Sequence, residues 1–241
     1  MEEIEKKNVE VPPLGYVRAA GGTYLFVILI AVLNVAFIDS KLVVPSDSVA
    51  TAGNIIAHEF LFRVGIVAVL AMYASVVVLS VSLYVVLKMV DENLARLAML
   101  LRICEAILGG ATALFSFAAL LLLTDHGLST GIDPQHAQAL AALFLDVRTA
   151  GLDVVLFFVG LGGTAFCYLF YKSGYVPRAL AGWGIFTYLS MLVLAPVSIL
   201  QPEHPIVFEA VLYANGTLFE VLFGAWLLFK GLDSPGQSAE A

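Results

Sequence analysis

Six long apolar segments, separated by short polar gaps, take up almost the whole of this 241-residue chain. A helix needs about 20 residues to cross the ~30 Å hydrocarbon core of a bilayer, and each segment is long enough to do so. Hydrophobic residues make up 61% of the chain, well above the roughly one half that is usual for soluble domains. The sequence therefore predicts an all-α fold, a polytopic membrane bundle of six transmembrane helices with no soluble domain.

The positive charges lie almost wholly in every second gap between these segments. By the positive-inside rule, the side of the membrane that is rich in Lys and Arg is the cytoplasmic one. This places both the N-terminus and the C-terminus in the cytoplasm, and we expect a multi-pass protein of the cell membrane. Lys41 lies alone on the other side, and the residues on the basic side are Lys6, Lys7, Arg18, Lys88, Arg96, Lys172, Arg178 and Lys230.

The boundaries of the predicted segments follow from the polar gaps. Residues 1–17 and 233–241 are predicted cytoplasmic tails, and residues 18–232 form a single transmembrane domain. We number the spans 1 to 6, and they cover about residues 18–38, 59–88, 94–123, 148–172, 177–200 and 206–230.

The fourth segment is longer than one upright crossing requires. Asp133 followed by Pro134 is a helix-start signal, and the helical pattern continues from there to Lys172. Two alternatives are open: the helix projects outward by several turns, or it breaks near Gly151. Glycines at 21–22, 109–110 and 160–163 are predicted to let the helices approach one another closely.

Three ionisable residues are predicted to lie near the membrane midplane, where charge is costly. Counted along the helix from the cytoplasmic end of each span, Arg102, Glu105 and Glu220 lie roughly 9, 14 and 15 Å deep. If they share a pocket, one Arg meets two carboxyls, and one carboxyl is expected to be protonated. This intramembrane cluster could be a structural clasp between spans 3 and 6 or a proton-relay site.

A second polar set is predicted in the outer half of the bilayer, and we interpret it as a ligand-binding pocket. Glu59 and Arg63 are four residues apart in the favourable order, so we expect Arg63 to be held by Glu59 and by an acid of span 4. Asn34 and Asn215 could also line this pocket. The alternative is a group of interfacial salt bridges with snorkelling side chains. The proposed ligand-binding residues are Glu59, Arg63, Asp146, Arg148 and Asp153.

Metal and cofactor chemistry has little support in the sequence. The four histidines all fall on the outer side, but none shows the spacing of a zinc motif, so we predict no metal site and no cofactor. The two cysteines fall inside apolar spans and are expected to be unpaired. The net charge of −7 argues against a nucleic-acid partner.

Three segments and one Arg of span 3 give the chain a family resemblance. The segments ATAGNIIAHEFLFRVG (50–65) and YKSGYVPR (171–178), Arg102, and the ending 220–231 resemble the prokaryotic domain-of-unknown-function family 4386. The resemblance implies a six-span integral membrane protein in which Arg63, Arg102 and Arg178 belong to the family pattern. Residues 146–153 depart from that pattern, and the family carries no established activity.

The sequence thus predicts a ligand-binding or regulatory membrane protein with a polar pocket in the outer half of the bilayer. Its expected partners are membrane lipids and a small or lipid-like ligand, and nothing in the sequence sets an oligomeric state. One alternative is a membrane-embedded enzyme on lipid-like substrates, which needs a metal or a carboxylate pair within acid–base reach. The other is a proton-coupled small-molecule carrier that uses Glu105 and Glu220.

Overall fold

The chain folds into helices that are long enough to cross a membrane. The computed structural model describes residues 12–44, 47–124, 131, 133–201 and 206–233. Within this part of the chain there is no strand, and six helices are long and apolar enough to span a bilayer. The protein is therefore an all-α, six-span, multi-pass membrane protein, which confirms the predicted fold class. Most of both predicted tails lies outside the described residues.

The helix boundaries extend several of the predicted spans. Spans 1 and 6 each contain a π turn, Val35–Asp39 and Trp226–Lys230, and such turns are often found at functional sites. A short helix, Ser48–Ala57, lies between spans 1 and 2. The six spans are Leu14–Leu42, Glu59–Leu87, Glu92–Leu123, Pro134–Ser173, Arg178–Leu200, and Ile206–Ala225 with its π turn to Lys230.

Local capping interactions explain where three of the helices begin. Asp47, Asp91 and Asp133 each accept a hydrogen bond from a backbone N–H of the first turn, at 2.8, 3.1 and 3.2 Å. These bonds satisfy donors that the start of a helix leaves unpaired. Pro134 follows Asp133 at the first helical position, where its missing N–H costs nothing.

Span 4 projects outward and does not break near Gly151, which decides between the two alternatives that the sequence leaves open. It is one continuous helix of 40 residues, and Gly151 lies within it without a break. A helix of this length measures about 60 Å, which is about twice the thickness of the hydrocarbon core. Span 4 therefore projects beyond the bundle at its N-terminal end, where the short helix Ser48–Ala57 packs against it.

The six spans form a closed ring. Each span packs against the next one in the chain, and span 6 returns to pack against span 1. This closing contact needs glycine, because a Cβ on Gly21 would lie 2.5 Å from the backbone nitrogen of Leu228 and 2.6 Å from the carbonyl oxygen of Gly224. A Cβ on Gly160 would likewise lie 2.6 Å from Cβ of Leu192 in span 5. These contacts confirm the predicted packing role of both glycines.

Both ends of the described chain lie at the same face of the bundle. Gly231, after the last helix, lies beside Leu14 at the start of the first one. The backbone N–H of Asp233 donates to the carbonyl oxygen of Tyr175 in the turn between spans 4 and 5, at 2.8 Å. We call this the proximal face and the opposite one the distal face.

An aromatic core fills the proximal half of the bundle between spans 1, 4, 5 and 6. The ring of Phe223 lies 5.6 Å from that of Tyr24, 5.1 Å from Phe170 and 5.3 Å from Phe219. Phe219 in turn lies 5.8 Å from the ring of Tyr188. All five side chains are buried. Because ring pairs at these distances pack favourably, this layer closes the centre of the bundle toward the proximal face.

Candidate functional site

The intramembrane cluster begins with an ion pair on span 3. Nη1 of Arg102 lies 2.7 Å from Oε2 of Glu105, and the two side chains are only 4% and 5% exposed. The spacing of three residues places both on one face of the helix. Gly162 of span 4 makes room for the Arg102 stem, because a Cβ there would lie 2.8 Å from Cγ of Arg102.

Glu220 of span 6 completes this cluster, although its direct hydrogen bond is to span 5. Its Oε1 accepts a hydrogen bond of 2.7 Å from the hydroxyl of Tyr188. The hydroxyl of Tyr188 lies 3.4 Å from that of Tyr24 in span 1. Arg102 attracts the Glu220 carboxylate electrostatically. Four spans therefore contribute polar groups to this one level of the bundle.

Two of the five residues predicted for the outer pocket, Glu59 and Arg63, pair with each other at the start of span 2. Arg63 contacts Glu59, with 2.6 Å between Nη2 and Oε1, but both side chains are about one third exposed. Asp146 is exposed and forms no ion pair within the described residues. It lies two positions before Arg148, a spacing at which helical side chains point to different faces. Within the described residues, Arg63 therefore pairs with Glu59 and not with Asp146.

Arg148 instead pairs with a residue that the sequence analysis did not select. Its Nη2 lies 3.4 Å from Oδ1 of Asp39 in span 1, and this distal pair is 24% and 31% exposed. Asp39 is the last residue of the π turn Val35–Asp39. Asp153, the remaining predicted residue, is half-buried and interacts electrostatically with Tyr213 of span 6.

A cavity of about 410 Å³ joins the distal pair to the intramembrane cluster. Its volume lies within the range of about 300 to 1,000 Å³ that small-molecule sites occupy. The cluster lies level with Gly162 and the distal pair level with Arg148, so the cavity extends over about 20 Å of span 4. All six spans contribute to its wall, and its charged lining residues are Asp39, Arg102, Glu105, Arg148 and Glu220.

Most of the wall between these two ends is apolar, with a few uncharged polar groups. Thr112 and Ser116 of span 3 line the cavity, as do Tyr73 of span 2 and Tyr213 of span 6. Asn34 also lines it and donates to the carbonyl oxygen of Gly65 at 3.3 Å, bridging spans 1 and 2. Such a lining, apolar with few polar groups, is typical of small-molecule sites.

Asn215, the other amide expected in the pocket, has a packing role. It accepts a hydrogen bond from Nε1 of Trp183 and donates one to Oγ1 of Thr187, both at 2.9 Å. Both partners lie on span 5, so Asn215 holds span 6 to span 5. It is not among the lining residues of the cavity.

The histidines that the structure describes lie apart from the cavity. His58 is exposed, with Nδ1 3.1 Å from the carbonyl oxygen of Asn54, and exposed His136 lies 3.1 Å from Asp133. His126 and His204 lie outside the described residues. In the part of the chain that the structure describes, no three His, Cys, Asp or Glu side chains meet as a metal site would require.

Three contributors to the site were missed in the sequence. Tyr24 and Tyr188 are hydroxyl-bearing residues at mid-span, and that unusual position was the available signal. The predicted end of span 1 at residue 38 places Asp39 in the following loop, because a π turn that extends the helix leaves no clear mark in the sequence.

Comparison with known proteins gives one match. The family model described as domain of unknown function (DUF4386) matches residues 19–231, nearly the whole chain. No curated protein and no solved structure matches it.

Proposed function

The chain belongs to the family described as domain of unknown function (DUF4386), and from that premise we propose that it is a ligand-binding or regulatory membrane protein. The ligand is a small or lipid-like molecule, held in the distal half of the bundle. The observation that carries this proposal is the cavity of about 410 Å³ that joins the distal pair to the intramembrane cluster.

The proposal includes an orientation and a location. Arg96, Lys172 and Arg178 lie at the proximal end of spans 3, 4 and 5. The excess of positive charge favours the cytoplasm for this face, in the cell membrane of a prokaryote. The cavity then lies in the outer half of the bilayer.

The chemistry of the cavity supports an amphipathic ligand. Its apolar wall offers favourable burial for a hydrocarbon chain or ring, at roughly 25 cal/mol for each Å² removed from water. The charged groups at the two ends can orient a polar head. The aromatic core around Phe223 fills the proximal side of the bundle, which favours entry of a ligand from the distal half.

Native mass spectrometry of the purified protein tests this proposal, with a variant that fills the cavity. Ala31 lines the cavity on span 1, and its neighbour Val32 is 49% exposed on the outside of the bundle. We expect the wild type and Val32→Phe to retain the same bound molecule. Ala31→Phe should lose it, because the added ring occupies the site. Equal retention by Ala31→Phe and the wild type would show that the molecule binds elsewhere.

A proton-coupled carrier is the second candidate, and one observation favours it. Arg102, Glu105 and Glu220 all line the cavity, at the end away from the distal pair. A carrier of this kind moves protons when Glu105 and Glu220 can exchange them. In vesicles loaded with a pH-sensitive dye, a membrane potential should then drive proton uptake that Glu220→Gln abolishes. Equal uptake by the wild type, the variant and protein-free vesicles would exclude the carrier.

A further inference from the structure

The cavity opens sideways, toward lipid. Three of its lining residues are exposed at the surface of the bundle: Val35 to 62%, Tyr213 to 45% and Leu152 to 39%. They belong to spans 1, 6 and 4. All three lie on the proximal side of the ion pair between Arg148 and Asp39, which joins spans 4 and 1. The opening therefore lies within the apolar layer of the membrane, on the proximal side of the distal pair.

The cavity is lined by one more carboxyl group than it has cationic side chains. At the distal end, Arg148 and Asp39 neutralise each other. At the inner end, Arg102 is permanently charged and is paired with Glu105 at 2.7 Å. Glu220 faces the same cavity as a second carboxyl. Among the lining residues there is no further cation, so the cavity is one positive charge short.

We propose that the ligand is a lipophilic cation, with an amine or quaternary ammonium head bound at Glu220. Its apolar part lies along the cavity wall, and it is taken up from the distal leaflet between Val35 and Tyr213. This inference rests on the proposed ligand-binding function and adds the class of ligand and its route. In the empty cavity Glu220 is protonated. The bound cation displaces this proton and pairs with the carboxylate.

The surroundings of Glu220 suit a cationic head. The hydroxyl of Tyr188 fixes one carboxylate oxygen, which holds the carboxylate in place for a charged partner. Tyr73 also lines the cavity and interacts electrostatically with Arg102 and Glu105 of the same cluster, and the face of such a ring attracts cations. The charged and titratable groups that interact with Glu220 are Tyr24 of span 1, Arg102 and Glu105 of span 3, Cys167 of span 4 and Tyr188 of span 5.

Three probes with the same apolar chain and different head charges test the inference. They are dodecyltrimethylammonium, dodecanol and dodecanoate, each added to the protein in lipid nanodiscs and counted on the protein by native mass spectrometry. We expect the cation to bind most tightly to the wild type. Glu220→Gln should weaken cation binding at least about tenfold and leave dodecanol binding unchanged, because only the cation loses a charged partner.

A second variant tests the route and does not disturb the buried cluster. Val35→Trp narrows the lateral opening at an exposed position, and Val32→Trp adds the same ring to the outside of the same helix. Cation binding should slow in Val35→Trp and stay at the wild-type rate in Val32→Trp. Equal rates in the two variants would overturn the lateral route.

The other outcomes separate this inference from the proposed function. If dodecanol or dodecanoate binds as well as the cation, or Glu220→Gln leaves cation binding unchanged, the cationic class is wrong and the binding function stands. If none of the three probes binds, the class is also overturned. The binding function itself is judged by whether Ala31→Phe loses the molecule that the wild type retains.

Discussion

Tyr188 donates a hydrogen bond to Glu220 across the contact between spans 5 and 6, with 2.7 Å between the two oxygens. The Tyr188 side chain is completely buried, whereas Glu220 is half-buried and lines the cavity. The bond therefore holds in place a carboxyl group that faces the cavity near the midplane. Because a carboxylate without a cationic partner is costly in a membrane, this arrangement supports the proposal that a cationic head binds at Glu220.

Replacement of Tyr188 by Phe tests the energetic importance of this bond. The change removes the donor to Glu220 and keeps the aromatic ring, so we expect a loss of about 0.5 to 1.5 kcal/mol in stability, the range for a hydrogen bond between neutral groups. Tyr24→Phe is the matched control, since its hydroxyl lies 3.4 Å from that of Tyr188 and makes a weaker contact. Thermal unfolding in detergent measures the stability of both variants. A larger loss of stability in Tyr24→Phe would contradict this, because the Tyr24 hydroxyl would then matter more than the hydrogen bond from Tyr188 to Glu220.

The intramembrane cluster should respond asymmetrically to the loss of its charges. Arg102→Leu leaves Glu105 without its partner in a buried site, which typically costs about 3 to 5 kcal/mol. Glu220→Gln keeps an acceptor for Tyr188 and removes the excess charge, so we expect it to be tolerated. Melting temperatures of the two variants provide the test. A wild-type melting temperature for Arg102→Leu would contradict the buried ion pair.

The glycine beside Arg102 offers a test of packing that leaves every charge in place. In Gly162→Ala the new Cβ would lie 2.8 Å from Cγ and 3.0 Å from Cδ of Arg102, so we expect a loss of about 1 to 3 kcal/mol. Gly110→Ala is the control, because a Cβ there meets no atom within 4 Å. It should be neutral or stabilising, since Ala favours a helix more than Gly does. Equal thermal stability of the two variants would mean that Arg102 does not pack on span 4.

The proposed orientation predicts which connections a membrane-impermeant thiol reagent reaches in intact cells. In a background with Cys104 and Cys167 replaced by Ala, a cysteine at Glu92 or Ser173 should stay unlabelled. One at Ser129, in the connection between spans 3 and 4, should react. Labelling at Ser173 in sealed cells would place the proximal face outside the cell and would contradict the proposed orientation.

The sequence predicts the features that depend on neighbouring residues. The six apolar segments define the spans because their length is set by the bilayer. The N-cap Asp133 follows from its position before Pro134. The contacts of Glu59 with Arg63 and of Arg102 with Glu105 follow from helical spacings of four and three residues.

The remaining features depend on contacts between spans, and the sequence alone does not specify them. Asp39 and Arg148 are 109 residues apart, and the π turn that ends at Asp39 alters the direction of its side chain. Tyr188 and Glu220 are 32 residues apart on different spans. Which helix faces meet is decided by the packing of glycines such as Gly162, and a list of polar positions at similar depth does not contain that information.

Infrared difference spectroscopy tests the central claim most directly, which is that the cavity lacks one positive charge at Glu220. At neutral pH the ligand-free wild type should show the band of a buried, protonated carboxylic acid, and Glu220→Gln should lack it. Adding dodecyltrimethylammonium to the wild type should remove the band, because the cation replaces the proton. A wild-type spectrum without this band, or a band that the cation leaves unchanged, would contradict the account.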